Sequence, residues 1–393
     1  MNDTMTDIRE LSEQFHFNVY RRFPVVLVKG TGTKLQDSNG REYTDFVAGI
    51  SVNALGYSHP DIVAAIKNQA DKLIHISNGY YSEPQTLLAE LLCKISGFGK
   101  VFFCNSGLEA NEAAVKIARR FGHKNNKKGK IVSFTNCFHG RSLASITLGS
   151  EKYQKNFGPL PEGFMKLPYN DTEALRTGIN DDTIAVFVES VQGEGGVVPA
   201  KQEFMNELQE LCRKHNVLMI CDEIQTGLGR TGRLFGFQHY NLKPDLVTLA
   251  KSLGGGIPLG AVLSGPEVAS LLSYGDHGST FGGNPMACAS ALAAVSVIND
   301  MIPQASKTGE YFLKELRSNL GDVKGIKDIR GLGLMIGVEL EYPGRPVVEK
   351  MLERGFLINC TAEKTLRFLP PLIISEGEID DLISNLKELL SRN

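Results

Sequence analysis

The sequence predicts an α/β protein, with a mostly parallel central sheet flanked by helices and a second, smaller domain. Three observations carry that reading. Short β-rich runs alternate with amphipathic helical patterns through the middle of the chain, the layout of βαβ units. At 393 residues the chain is longer than one ordinary core holds, so two or three domains are expected. A hydrophobic content of 42% with 22% charged residues is that of a soluble globular protein.

In chain order, the first strand of the large sheet is 100–104, K-V-F-F-C, followed by a helix over 106–121. Ser106 is placed to cap that helix, with Glu109 completing a capping box. The loop 124–130, K-N-N-K-K-G-K, reads as solvated charge and not as a binding patch, and strand 130–134 follows it. Further strands are expected at 183–188, 217–221, 246–249 and 261–264, each a short apolar run rich in β-branched residues. Helices fill 202–215, 285–298 and 308–319. The run 326–340, I-K-D-I-R-G-L-G-L-M-I-G-V-E-L, reads as a hairpin or meander. The last element, 376–391, sets Ile379, Leu382, Ile383, Leu386 and Leu389 at helical spacing behind a Ser375 cap, and closes the smaller domain.

Composition narrows the function. The formal net charge is −2 and no block of Lys and Arg appears, so neither nucleic acid nor an anionic membrane is an expected partner. Residues 1–15 mix charges without an apolar core, which is not a secretory leader. The longest nearly apolar stretch, 285–298, is shorter than the roughly 20 residues that span a bilayer. A cytoplasmic enzyme acting on small molecules is the expectation. The seven cysteines contain no C-x-x-C and lie mostly in apolar runs, as reduced buried thiols do, and the eight histidines are scattered, so no metal site is expected.

In open α/β sheets ligands gather outside the carboxyl ends of the strands, and that rule selects the candidate residues. After 100–104 come Asn105, Ser106 and Gly107 at a helix start, where free N–H groups can hold a phosphate dianion; taken alone, a plain helix cap accounts for them better. Strand 183–188 runs through Glu189 into S-V-Q-G-E-G-G-V-V-P, setting Glu194 in a glycine-rich turn. There it can reach a ligand or pair with an arginine, or equally be a surface glutamate. Strand 217–221 ends at Asp222 and Glu223, then Gln225. Lys251 follows 246–249 and precedes Gly254, Gly255 and Gly256, and consecutive glycines destabilise a chain unless its backbone must approach something closely. Ser279 and Thr280, in H-G-S-T-F-G-G-N-P, add hydroxyls suited to phosphate oxygens.

The amine of Lys251 and the carboxylate of Asp222, each at the end of an apolar strand, point to pyridoxal phosphate chemistry. A lysine can hold the cofactor aldehyde covalently, while a buried carboxylate keeps the pyridine nitrogen protonated, so that the ring accepts electrons from a carbanion. Two rivals fail on context. Apolar-run-then-Asp-Glu also describes the magnesium strand of P-loop NTPases, but no G-x-x-x-x-G-K-[ST] occurs in the chain. Gly227, Gly229 and Gly232 in G-L-G-R-T-G match the fingerprint of nicotinamide-linked oxidoreductases letter for letter, yet the motif neither leaves a strand directly nor opens a helix.

With these residues in view, the sequence resembles the class III aminotransferases of the fold-type I pyridoxal phosphate enzymes, and within them the acetylornithine aminotransferases of arginine biosynthesis. The likeness spans essentially the whole chain: S-V-N-A-L-G-Y-S-H-P, S-N-G-Y-Y-S-E-P-Q, N-S-G-L-E-A-N-E-A-A, F-H-G-R, Q-G-E-G-G-V, D-E-I-Q-T-G-L-G-R-T-G, L-A-K-S-L-G-G-G, S-T-F-G-G-N-P and R-F-L-P-P-L. The resemblance implies residues 51–303 as a large cofactor-binding domain, and a small α+β domain from both chain ends, 1–50 and 304–393. It implies that Lys251 holds the cofactor, that Asp222 pairs with its ring nitrogen and Gln225 with its ring hydroxyl, and that Phe138 and Ile224 pack on opposite ring faces. Glu223 falls in the same cofactor-facing string. Ser106, Gly107 and the backbone of Leu108 would hold the phosphate, aided by Thr280 of a neighbouring subunit, so a homodimer is part of the resemblance.

Arg141 would take a carboxylate at the far end of the substrate and Arg367 the α-carboxylate of glutamate or 2-oxoglutarate, with Glu194 masking Arg367 and Ser279 on the substrate side. Leu108 is a departure, since many relatives carry Thr there; a backbone contact would lose one hydroxyl bond and little else. Read without the resemblance, Arg141 could equally cap a helix and Arg367 tie down the small domain. N2-acetylornithine and 2-oxoglutarate are the implied substrates, with ornithine, succinylornithine, succinyl-diaminopimelate, 4-aminobutyrate or an internal amino shift open as alternatives.

Overall fold

The computed structural model describes residues 7–391; the start of the 1–15 stretch, residues 1–6, and the end of the 304–393 segment, residues 392–393, lie outside the described residues. The central sheet has seven strands in the order Lys100–Cys104, Gly260–Ser264, Leu246–Leu249, Leu218–Asp222, Thr183–Val188, Lys130–Phe134 and Phe164–Leu167. Every neighbouring pair is parallel except the two made by Gly260–Ser264, which runs against both its flanking strands. The middle strands are buried at every residue, as a sheet covered on both faces requires. Val186 and Val188 pack into one hydrophobic cluster, Ala185 and Phe187 into the other, so the alternation of strand side chains divides the core into two layers. Six of these strands match the expected ones to within a residue; the edge strand Phe164–Leu167 is additional.

The helix Gly107–Lys124 starts just after Ser106. The Ser106 hydroxyl accepts from the Glu109 N–H at 3.2 Å, and Glu109 Oε2 accepts from the Asn105 N–H at 2.8 Å. The reciprocal cap read from the sequence is therefore present, with the carboxylate reaching one residue further back.

The two helices expected over 285–298 and 308–319 are one, Pro285–Leu320, and it passes unbroken through the boundary expected at 303. Pro303 cannot donate to the carbonyl four residues earlier, a cost of about 3 kcal/mol. Beyond it Phe312, Leu316 and Leu320 are fully buried, contributing roughly 1.5–3 kcal/mol each, so continuity wins. This helix is long and apolar enough to cross a membrane by length and composition, which the shorter expected stretch was not. Here it packs against the helices Pro60–Ala70, Glu83–Ser96 and Glu376–Leu390 as the spine of the protein.

The two ends of the chain meet in one sheet, where Glu42–Asp45 pairs in parallel with Phe356–Leu357 beside Lys34–Asp37 and Leu27–Thr31. The expected meander is the hairpin Ile326–Leu332 and Met335–Leu340, extended by Thr365–Phe368 and Asn359–Thr361. The G-L-G-R-T-G stretch joins this layer to the large one through Arg230. Arg230 is wholly buried, with Nε donating to Ser51 Oγ at 2.9 Å and Nη1 to the Leu334 and Pro370 carbonyls at 3.1 and 2.5 Å. Burial pushes its guanidinium down to about 9.

Candidate active site

A cavity of about 420 Å³ opens where the central strands end. Ser106, Gly107 and Leu108 reach it from the start of the Gly107–Lys124 helix, and Phe138 and Arg141 from the loop after Lys130–Phe134. Glu194 comes from the turn after Thr183–Val188, Asp222, Ile224 and Gln225 from the end of Leu218–Asp222, and Lys251 from the 3-10 turn after Leu246–Leu249. A Cβ at Gly107 would lie 2.6 Å from Ile224 Cδ1 and 2.9 Å from its Cγ2, so any larger residue there would force the Ile224 side chain to shift on the cavity wall.

Asp222 is held from below. Its Oδ2 accepts from Asn111 Nδ2 at 2.8 Å and meets His139 Nδ1 at 2.7 Å, while Oδ1 accepts the Ile224 N–H at 3.0 Å. Asn111 also donates to the His139 carbonyl at 2.9 Å, so the helix and the 137–141 loop grip the same carboxylate. Burial alone would depress the His139 imidazolium, but Cys137 and Asp222 outweigh it and hold its pKa well above the ordinary value. Glu189, whose Oε2 accepts from the Phe138 N–H at 3.3 Å, is pushed up to about 8 by burial.

Lys251 sits at φ +49°, a left-handed conformation that costs about 1–3 kcal/mol for a non-glycine residue and that clusters at functional positions. Burial, aided by the positive charge of Arg367 and opposed by Glu194, Asp222 and Glu189, pushes its ammonium down to about 8. The sign follows directly: the amine is neutral and nucleophilic above pH 8 and protonated below. Attachment of an aldehyde cofactor to stripped protein, followed by rapid-mixing absorbance, should speed up about tenfold per pH unit up to about 8 and level off there. A rate that keeps climbing toward 10.5, the ordinary lysine value, would contradict this site.

The two arginines are under different control. Arg367 is buried, its Nη1 donating to Glu194 Oε1 at 2.6 Å, the Gly193 carbonyl at 3.2 Å and Gln225 Oε1 at 3.3 Å. Burial would raise the Glu194 carboxyl, but Arg367 holds it below the usual range. Gly193 allows the turn to close, since a Cβ there would meet Gln225 Oε1 at 2.0 Å. Arg141 lies exposed with its guanidinium 4.1 Å over the Tyr153 ring, and it makes no ion pair among the described residues. Tyr153 in turn packs edge-on against Phe138, ring centroids 5.4 Å apart.

Besides Arg367, which sits behind the lining residues Glu194 and Gln225, three sequence candidates are absent from the cavity lining. The Glu223 carboxylate is spent on the Thr226 hydroxyl at 2.7 Å and the Gly236 and Phe237 N–H groups at 2.8 Å, so it braces a turn and is not a cofactor contact. Burial pushes it up to about 7. Ser279 Oγ accepts from Asn105 Nδ2 at 3.1 Å and from the Gly282 N–H at 3.0 Å, capping its own loop. Thr280 is exposed and is not among the residues that line the cavity. Conversely, His139, Asn111 and Tyr153 had no assigned role in the sequence. Asn111 carried a signal, because it lies one helical turn after Gly107 and shares its face.

These residues fit pyridoxal phosphate. Gly107 and Leu108 offer backbone N–H groups at a helix start, Phe138 and Ile224 offer apolar faces, and Asp222 and Lys251 supply a carboxylate and a low-pKa amine in one cavity. Fold and site together define a pyridoxal-phosphate-dependent enzyme. The class III aminotransferase family matches residues 17–390. The chain is 50% identical over 387 residues to the acetylornithine aminotransferase of Methanocaldococcus jannaschii, covering 97% of each. Its structure is similar to the ornithine aminotransferase of Toxoplasma gondii ME49, with TM-score 0.93 and 37% identity over 97% of this chain and 94% of that one. It is also similar to the acetylornithine aminotransferase of Elizabethkingia anophelis, with TM-score 0.90 and 35% identity over 98% of both chains. The chain belongs to the class III aminotransferases.

Proposed function

We propose that the enzyme moves the terminal amino group of N2-acetylornithine to 2-oxoglutarate, giving N-acetylglutamate 5-semialdehyde and glutamate. The observation that carries this reading is the presence of two guanidinium groups about one cavity, Arg141 on its wall and unpaired, Arg367 behind the wall and masked by the lining residue Glu194. A ping-pong amino transfer needs such a pair, because donor and acceptor carry their carboxylates at different distances from the reacting carbon. Identity of 50% along the whole chain to a relative bearing the acetylornithine name favours that donor. Ornithine is the second reading, supported by similarity to the Toxoplasma gondii enzyme at lower identity.

When bound, pyridoxal phosphate supplies an electron sink for the carbanion left by proton removal. The residues of the chain do the rest. Asp222 holds the proton on the ring nitrogen, Phe138 and Ile224 confine the ring, and Ser106, Gly107 and Leu108 anchor the phosphate. Lys251 Nζ, displaced by the incoming amine, would take the proton from the substrate carbon as a neutral base and return it two atoms along, on the far side of the transferred nitrogen. Arg141 receives the α-carboxylate of the amino donor in a bidentate fork. With the dicarboxylic acceptor, Glu194 yields Arg367 to the α-carboxylate. The purified enzyme given N-acetylornithine and 2-oxoglutarate should form glutamate and the acetylated semialdehyde one for one; neither product appearing would sink the proposal.

A homodimer belongs to the same proposal, with a cytoplasmic location. Exposed Thr280 adjoins exposed Phe281, whose ring lies tilted against His75 with centroids 5.0 Å apart, beside exposed Ile74, an apolar patch that a second copy would cover while delivering Thr280 to the facing cavity. Sedimentation should give twice the 43.0 kDa chain mass, and a fully active monomer would overturn the shared site.

A further inference from the structure

Beneath the cavity floor, Cys137, His139 and Glu189 turn one ligand atom each toward a common point. The Cys137 Sγ, a His139 ring nitrogen and a Glu189 carboxylate oxygen lie within 4.8 Å of one another, and all three residues are buried. Their ordinary hydrogen bonds leave one atom over. Cys137 Sγ donates to the Leu148 carbonyl at 3.1 Å, and Glu189 Oε2 accepts from the Phe138 N–H at 3.3 Å. His139 spends Nδ1 on Asp222 at 2.7 Å, while its Nε2 is shut off from solvent with no hydrogen-bond partner among the described residues. A buried polar nitrogen left in that state costs about 1–3 kcal/mol, so its environment calls for a partner.

We propose that Cys137, His139 and Glu189 form a binding site for a soft divalent transition ion, with zinc the best match to the donor set. A thiolate, an imidazole and a carboxylate are the side-chain ligands zinc takes, and the two anions balance its charge. In a tetrahedral site the ligand atoms stand roughly 3.5 Å apart, so binding requires the Cys137 and Glu189 side chains to close in on the imidazole. The surroundings suit the ion as well as the ligands do. Asp222 on Nδ1 fixes the ring so that Nε2 is the metal-facing nitrogen, the arrangement that orients metal-bound histidines generally. On binding, the protons that Cys137, Glu189 and the imidazolium of His139 carry in the metal-free site go to solvent, and the Leu148 carbonyl keeps the Ser133 hydroxyl at 2.7 Å and is not orphaned. His139 and Glu189 also line the main cavity, which provides the entry path and room for a water as fourth ligand. The sequence spacing gives no hint of this, because Glu189 comes from a different strand end and only the parallel sheet brings it beside residues 137 and 139.

The test uses the cofactor-loaded enzyme, dialysed against zinc and analysed for metal and cofactor content, with zinc-edge X-ray absorption on the same sample. The expected result is one tightly held zinc per chain, with one sulfur at about 2.3 Å and nitrogen or oxygen neighbours at about 2.0 Å. Cys137→Ser should lower zinc affinity at least about tenfold while cofactor content stays unchanged. If that variant fails to fold, Cys137→Ala makes the same comparison. A zinc shell without sulfur, equal affinity in wild type and variant, or no retained zinc would each overturn the proposal. None of these readouts depends on which amine the enzyme accepts.

Discussion

Replacing Lys251 with alanine is expected to lower turnover by at least about 10⁴-fold while leaving substrate binding nearly intact. The residue serves first as the anchor of the cofactor and then as the proton carrier, and general acid–base catalysis alone accounts for about 10²–10⁴. No other amine replaces it: Lys251 lines the cavity with an ammonium lowered to about 8, whereas Arg141 on the wall and Arg367 behind Glu194 are guanidinium groups that do not release a proton. Steady-state kinetics on the variant, with a far-UV spectrum confirming the fold, checks this. A kcat within about tenfold of wild type would remove Lys251 from the chemistry.

Asp222→Asn should cost about 10³-fold in kcat with a smaller change in cofactor affinity. The amide has the same shape and can still accept from Asn111 or His139, now 2.8 and 2.7 Å from Oδ2, so the floor stays in place. What is lost is the charge. A carboxylate about 3 Å from a pyridinium is worth roughly 5 kcal/mol at an effective dielectric near 20, and part of that is recovered by the neutral hydrogen bond. Comparing kcat with the cofactor dissociation constant separates the two roles. Equal losses in both would mean that Asp222 merely binds the ring.

The sequence carried most of the sheet and the core of the site, for a shared physical reason. Each inner strand is an apolar run that stops where the chain must turn polar, and in a parallel sheet those stops converge, so Asp222, Glu194 and Lys251 stand out in the order of residues alone. Glu223 shows where that reasoning was incomplete. Neighbouring residues at a strand end point to opposite faces, so an Asp222 turned to the cavity already argues that Glu223 turns away, as it does toward Thr226, Gly236 and Phe237.

The remaining differences lie in long-range pairing. Lys34–Asp37 and Glu42–Asp45 are four-residue strands with charged ends, and Glu42–Asp45 is stabilised by two residues from the far end of the chain, Phe356–Leu357, a contact with no local signature. Pro303 marked a helix end locally, but the packing of Phe312, Leu316 and Leu320 overrode it. His139 was visible in F-H-G-R, yet its role depends on Asp222 and Glu189 arriving from two other strands.

The most direct test of the account is a half-reaction. The cofactor-loaded enzyme, without any keto acid, is mixed separately with N-acetylornithine, ornithine and 4-aminobutyrate while the visible absorption of the lysine-bound cofactor is followed. Rapid loss of the band with N-acetylornithine and much slower loss with the other two is the expected result. Faster bleaching by ornithine or 4-aminobutyrate would contradict the proposed donor, and a loaded protein with no such band would contradict the role of Lys251 itself.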